Sequence, residues 1–163
     1  MEYTEGVRFD SLGLSPEIMR AIGEKRIEVS TPVQAGCIPP MMDWRDVIAK
    51  APTGTGKTFA YGIPIVEHTD PADESVQAVI LAPTRELAIQ ITDELRDLAA
   101  YKPGVRTVCL YGGAPIGRQI DALKKHPQIV VATPGRLSDH MKRRTVRVDT
   151  ARTVVLDEAD RML

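Results

Sequence analysis

The sequence predicts an α/β fold with a mostly parallel central sheet and helices on both faces. Three observations lead there. Short apolar runs rich in Val and Ile alternate along the chain with segments of helical periodicity, the order that builds βαβ units. The runs are nearly continuous rather than interrupted by polar residues, which suits strands buried on both faces of a parallel sheet. A Gly-containing loop, residues 51–58, stands between one such run and a helix start, where α/β proteins place phosphate-binding loops.

Each element has its own signal. Ser15 before Pro16 supplies an N-cap with Pro in the first turn, and Ile18, Ala21 and Ile22 follow on one face. Thr31-Pro32 repeats that opening. Residues 46–50 (DVIAK) read as the first strand, and residues 76–82 (VQAVILA), 105–111 (VRTVCLY), 128–132 (QIVVA) and 153–157 (TVVLD) as the next four. Thr84 is placed to cap a long helix running to about residue 100, with Leu87, Ile91, Leu95 and Leu98 on one stripe. Residues 115–125 and 134–142 give two more helices. Residues 70–75 form a polar surface loop, and the basic cluster at 142–147 fits a solvated helix end and turn as readily as a functional basic patch.

Composition narrows the function classes. A length of 163 residues is enough for one domain with its own core. A net charge of −1 excludes a strongly basic nucleic-acid binder as a description of the whole chain, and 4% aromatic residues leave few platforms for base stacking. Cys37 and Cys109 are far apart and neither belongs to a Cys-x-x-Cys pair, so reduced, buried thiols are expected. His68, His126 and His140 are scattered among polar neighbours and are expected at solvated loops or helix ends. The acidic, polar N-terminus resembles no signal peptide, and no apolar run approaches a membrane span, so a cytoplasmic protein is expected.

The loop Ala51-Pro52-Thr53-Gly54-Thr55-Gly56-Lys57-Thr58 carries the first chemistry. Small residues let backbone N–H groups approach phosphate oxygens, and the following helix start adds a positive dipole end. Lys57 is placed to reach the β- and γ-phosphates, and the Thr58 hydroxyl to reach Mg²⁺. By the pattern G-x-x-x-x-G-K-[ST] the match fails at one position, where Ala51 replaces Gly.

The second signal lies 100 residues after Lys57, where the apolar run Val154-Val155-Leu156 ends in Asp157-Glu158. Acids at the C-terminal end of a parallel strand face the ligand crevice. Adjacent side chains point to different sides, so the two carboxylates take different roles. Asp157 fits the Mg²⁺ side, and Glu158 fits the group that orients and deprotonates an attacking water. With the phosphate loop, this is a nucleoside-triphosphatase constellation.

Asp157-Glu158-Ala159-Asp160, followed by Arg161-Met162-Leu163, resembles the signature of the DEAD-box RNA helicases. Residues 51–58 resemble motif I of that family, where Ala in the first position is usual. Pro83-Thr84-Arg85-Glu86-Leu87-Ala88 resembles motif Ia, Gly112-Gly113 the GG motif, and Thr133-Pro134-Gly135-Arg136 motif Ib. Thr31-Pro32-Val33-Gln34 resembles the end of the Q motif, with Phe9 as its isolated upstream aromatic. The resemblance covers nearly the whole chain, with the segments in the right order.

It implies an N-terminal RecA-like domain that binds ATP and one strand of RNA, residues 1–42 forming the Q-motif helices and 43–163 an incomplete P-loop core. ATP and Mg²⁺ are the implied cofactors. The implied nucleotide contacts are Phe9, Ile27, Gln34, Pro52, Thr53, Gly54, Thr55, Gly56, Lys57 and Thr58, with Thr58 and Asp157 on the metal. Gln34 offers an amide that can donate to adenine N7 and accept from its N6 amine, a pairing guanine cannot match. The implied RNA side is Pro83, Thr84, Arg85, Gly113, Thr133, Pro134, Gly135 and Arg136, which suit sequence-independent sugar–phosphate contact. Thr84 and Pro134 can equally be only a helix cap and a helix start. Glu86, a carboxylate that phosphates would repel, is expected to pair with Arg136 or another basic group, and Asp160 to play a similar linking role.

Three departures stand out. Arg26-Ile27 occupies the place of the family's Gly-aromatic pair, and Ser30 that of its Pro. Trp44 stands where Gly is common, and is expected as a turn residue rather than a ligand. The resemblance further implies a second RecA-like domain that supplies charge-stabilising arginines, and a further strand inserted between the residue 46–50 strand and the Asp157 strand. The expectation is therefore a fragment of a two-domain ATP-dependent RNA helicase. The alternative is an isolated adenine-nucleotide and RNA binding module without turnover.

Overall fold

The computed structural model describes residues 5–52 and 56–163, which divide into two units. The first comprises residues up to His68 together with Asp97–Pro103, and the second comprises Thr69–Arg96 and Gly104–Leu163.

The first unit is helical. After a 3-10 turn at Phe9–Ser11, α1 spans Pro16–Glu24, α2 Pro32–Met42 and α3 Lys57–His68. The caps form as the sequence indicates. Ser15 Oγ accepts from the Ile18 N–H, and Thr31 opens a capping box in which its hydroxyl accepts from the Gln34 N–H while Gln34 Oε1 accepts from the Thr31 N–H. Such caps are worth about 1 kcal/mol each. Ile18, Ala21 and Ile22 are buried as expected, and α2 packs against α3. Lys102 donates to the carbonyls of Val66 and Glu67 at the end of α3, where a cation meets the negative end of the helix dipole.

The second unit is the sheet. Strands β1 (Ala78–Leu81), β2 (Thr107–Leu110), β3 (Ile129–Ala132) and β4 (Thr153–Leu156) are all parallel, in the order β2-β3-β1-β4. Between them run α4 (Arg85–Leu98, whose last two residues belong to the first unit), α5 (Ile116–Leu123) and α6 (Pro134–Lys142). The α/β class and the parallel sheet are as the sequence predicts. The core of this unit gathers Val79, Val108, Leu110, Leu123, Val130, Ala132, Leu137 and Val146. Central β3 is buried along its whole length, whereas β4 at the sheet edge leaves Val154 64% and Leu156 51% exposed.

One expected strand does not form. Residues 46–50 adopt no regular structure, and no described residues pair with them. Strand character needs a ladder partner. Val47 and Ala51 still pack against Val33, Cys37 and Ala60, while Ile48 is 93% exposed. The segment thus keeps an inward and an outward side without the hydrogen bonds of a sheet.

Candidate functional site

Parallel register decides the geometry of the second unit. Leu81 lies level with Ala132 on one side and Leu156 on the other, and Leu110 is level with Ala132. The next residue of each strand is held by a last ladder bond: the Ala82 N–H donates to the Ala132 carbonyl, Thr133 to Leu110, and Asp157 to Leu81. The segments after the four strands therefore leave the same edge of the sheet. These segments carry Pro83, Thr84 and Arg85 after β1, Gly112 and Gly113 after β2, Thr133 to Arg136 after β3, and Asp157 and Glu158 after β4.

Within this edge the segments touch. Gly113 has φ +87°, a left-handed conformation that favours glycine, and a Cβ added there would lie 3.4 Å from Arg85 Nη1. Thr84 caps α4, its hydroxyl accepting from the Leu87 N–H at 3.2 Å. Glu86 pairs with Arg85, Nε to Oε1 3.0 Å, rather than with Arg136, and this contact holds its carboxyl below the usual range. Arg136 instead donates to the Ala114 carbonyl and to Gln119 Oε1. Thr133 stands at the N-cap of α6 without a side-chain cap bond, with Pro134 in the first turn.

Asp157 is buried, whereas Glu158 sits at φ +50° in the left-handed region. That backbone turn is uncommon for a side-chain-bearing residue. It redirects the chain at once from β4 into a 3-10 turn at Ala159–Arg161, so the two adjacent acids leave the strand in different environments. Glu158 Oε2 receives Arg161 Nη1 at 2.9 Å. Asp160 lies exposed in the first turn of that segment.

In the first unit, Lys57 is the first residue of α3 and Thr58 follows it, buried. Gly56 has φ +80°, and a Cβ there would meet Gln34 Nε2 at 2.3 Å. Gln34 Nε2 donates to the Gly56 carbonyl at 3.1 Å, so the Q-motif helix and the end of the phosphate loop are joined. An amide has two N–H groups and an oxygen with two lone pairs, so bonds to Gly56 and Thr31 leave Gln34 one more of each for a ligand. Pro52 is exposed, and Ile27 is 36% exposed. Thr53, Gly54 and Thr55 lie outside the described residues. Phe9 is 1% exposed, so contact with an adenine would require uncovering its ring. Ser30, in place of the expected Pro, is buried and its hydroxyl accepts from the Val7 N–H.

Trp44 behaves as a turn residue. It has φ +61°, is half exposed and stacks on His68 with ring centroids 3.8 Å apart. His126 is an exposed turn residue, as expected. His140 is not solvated: it is 0% exposed, because it lies one turn from Leu137 on the inward face of α6. Gln119 is likewise buried on α5, and no motif marks it in the sequence. The available signal was a polar side chain within an apolar stripe, Gln119 beside Ile116, Ile120 and Leu123, and His140 beside Leu137. In the basic cluster, Arg143 pairs with Asp139 and Arg147 with Asp149, as a helix end and turn would.

The family profile of the DEAD/DEAH box helicases matches residues 31–163. The chain belongs to that family. As a DEAD/DEAH box member it is 54% identical over 155 residues to the DEAD-box ATP-dependent RNA helicase CshA of Geobacillus kaustophilus, covering 95% of this chain and 33% of that protein. It is 50% identical over 157 residues to CshA of Bacillus subtilis, covering 96% of this chain and 32% of that protein. The crystal structure of a DEAD box protein from the hyperthermophile Methanococcus jannaschii superposes with a TM-score of 0.90 at 40% identity, covering 98% of this chain and 43% of that one. The chain thus spans about a third of the length of the curated relatives it matches. Among the described residues, no helix is long and apolar enough to cross a membrane.

Proposed function

We propose that this chain is the ATP-binding, RecA-like part of an ATP-dependent RNA helicase, whose hydrolysis is coupled to RNA binding and local duplex opening together with a second RecA-like domain. The observation that carries the reading is the shared sheet edge, from which Pro83, Thr84, Arg85, Gly113, Thr133, Pro134, Gly135 and Arg136 emerge beside Asp157 and Glu158. Backbone N–H groups, hydroxyls and two guanidinium groups suit the sugar–phosphate chain of one RNA strand, read without regard to sequence. Such contacts need no strongly basic chain, in keeping with the net charge of −1.

The residues present fit a magnesium nucleotide. Gly56 leaves no room for a side chain beside Gln34, Lys57 stands in the first turn of α3, and the two metal-side candidates, Thr58 and Asp157, offer hard oxygen donors. Mg²⁺ takes one or two carboxylates and completes its sphere with phosphate and water; when bound it neutralises charge developing on the phosphates. In this reading Gln34 selects adenine with Ile27 on the base side, and Phe9 joins them only if its buried ring is uncovered. Pro52, Thr53, Gly54, Thr55 and Gly56 wrap the phosphates, and Lys57 carries the countercharge. Thr58 and Asp157 serve the metal side. Glu158 orients water and accepts its proton.

Binding and turnover test this directly. The chain alone is expected to prefer adenine over guanine nucleotides, a preference lost in Gln34→Ala, and to bind single-stranded RNA weakly. RNA-stimulated phosphate release by the 163-residue chain should be absent or very low, because the arginines of the second domain are needed. Robust stimulated turnover at micromolar RNA would overturn the two-domain assignment. Equal binding of adenine and guanine nucleotides would overturn the adenine reading.

Among the described residues β4 pairs with β1 alone, which supports a further strand completing the sheet on its other side.

A further inference from the structure

A buried polar chain runs behind the candidate RNA edge. Gln119 Nε2 donates to the Tyr111 carbonyl at 2.9 Å, directly before Gly112-Gly113. Gln119 Oε1 receives Arg136 Nη1 at 3.2 Å and lies 2.9 Å from His140 Nε2. His140 Nδ1 lies 2.8 Å from Thr145 Oγ1, which is also 3.1 Å from the His140 carbonyl. Arg136 completes the arrangement by donating to the Ala114 carbonyl at 3.1 Å. One side chain, Gln119, thereby joins the segment after β2 to the first turn of α6.

The donors fix the protons. A guanidinium only donates, so the Gln119 atom facing Arg136 must be the oxygen. That oxygen also faces His140, so His140 Nε2 must carry a hydrogen. In the neutral ring Nδ1 then accepts the single hydrogen of the Thr145 hydroxyl, and the His140 carbonyl keeps the Thr145 backbone N–H at 3.0 Å. With these assignments Gln119, the His140 ring and the Thr145 hydroxyl each have a partner, as a buried network requires. Replacing the His140 Nε2–H by an apolar group leaves Gln119 Oε1 with Arg136 alone, so the amide and the guanidinium it meets lose one of the contacts that fix their positions.

We propose that Gln119 and His140 are positioning residues for RNA binding, holding Arg136 and the Gly112-Gly113 turn in one fixed relation through the His140 Nε2–H tautomer. They need not touch RNA: His140 is fully buried and Gln119 is 6% exposed. The inference rests on the reading of Arg136 as an RNA-side residue, and it assigns the specificity of that geometry to two residues behind the surface.

The test measures the affinity of the chain for a fluorescein-labelled oligouridylate in Arg136→Ala, Gln119→Leu, His140→Leu and His140→Gln. Far-UV circular dichroism of each variant reports the fold. Gln119→Leu and His140→Leu should each weaken RNA binding about tenfold with an unchanged spectrum, the scale of a lost hydrogen bond to a charged group. His140→Gln, which can place an N–H near the Nε2 position, should recover affinity to within about threefold of the parent, again on the scale of one hydrogen bond. Wild-type affinity in both leucine variants alongside a weakened Arg136→Ala overturns the positioning role and leaves the RNA reading intact. Unchanged affinity in Arg136→Ala overturns the RNA role of that residue and the proposal with it. Loss of RNA binding together with loss of the native spectrum marks the pair as fold residues only and also overturns the proposal. Independently of any variant, ¹⁵N shifts of the His140 ring at neutral pH should report Nε2–H with bare Nδ1; the opposite tautomer or an imidazolium overturns it.

Discussion

Gln34 Nε2 donates to the carbonyl of Gly56 at 3.1 Å, so the residue read as the adenine selector also anchors the last turn of the phosphate loop. One amide thus joins α2 to the residue that precedes α3, and glycine is required at its partner. The φ of +80° at Gly56 disfavours any side chain, and a Cβ would lie 2.3 Å from the amide nitrogen. Gly56→Ala should therefore cost roughly 1–2 kcal/mol in backbone conformation alone and displace Gln34 in addition. The expected outcome is a lower melting temperature and adenine-nucleotide affinity reduced at least about tenfold on that scale. A titration with fluorescent ADP checks it, and parent-like affinity would remove the link.

Ile27 offers an aliphatic face where the family places an aromatic, and it is partly exposed. Ile27→Tyr should strengthen adenine binding by about 0.5–1.5 kcal/mol, the excess worth of aromatic pairing. Calorimetric titration with ADP measures this. No change would show that the base does not stack there.

Glu158 combines a left-handed backbone with a 2.9 Å contact to Arg161. If it orients and deprotonates water, Glu158→Gln in a protein carrying this chain with its second domain should lower RNA-stimulated phosphate release about 10²–10⁴-fold. Nucleotide affinity should hold. A rate within threefold of the parent would assign the proton transfer elsewhere.

Burial, followed by the charge of Arg136, pushes the pKa of His140 below its ordinary value of 6.5; Asp139 acts in the opposite sense and Arg143 in the same sense as Arg136. The unfolded chain therefore binds a proton near pH 6.5 that the folded chain refuses until lower pH. Stability from this group is fully present above pH 6.5 and is lost as pH falls through the depressed folded value. Melting temperature should fall with acidification across that window in the parent, and the slope should flatten in His140→Gln. An unchanged slope would show that the ring is not the group titrating.

The outer edge of β4 exposes Val154 and Leu156 and lacks a partner strand among the described residues. Unpaired apolar edges recruit other strands. The 163-residue chain should associate with rising concentration, and Val154→Lys should suppress this. Light scattering across a concentration series checks the effect, and equal scattering from both would place the association elsewhere.

Much of this was legible locally. Ser15-Pro16 and Thr31-Pro32 wrote their helix starts into adjacent residues, because a cap is a contact within one turn. The runs at β1 to β4 declared strands through continuous apolar content, and the Gly-Lys-Thr and Asp-Glu-Ala-Asp segments declared their chemistry through residue type. Residues 46–50 also carry an apolar run, Val47-Ile48-Ala49, without becoming a strand, because pairing depends on a neighbour that composition does not encode. Glu86 choosing Arg85 over Arg136 likewise depended on which side chains arrive within reach.

By itself the sequence determined the helix caps, the α/β class and the identity of the chemical groups, since each follows from local sterics, periodicity or side-chain chemistry. Only the tertiary structure decided that β1, β2, β3 and β4 end in register, that Gln34 closes on Gly56, and that Gln119 meets Arg136 and His140. Each of these joins residues distant in sequence, and a hydrogen bond acts only over about 3 Å, a distance that the folded path alone can set.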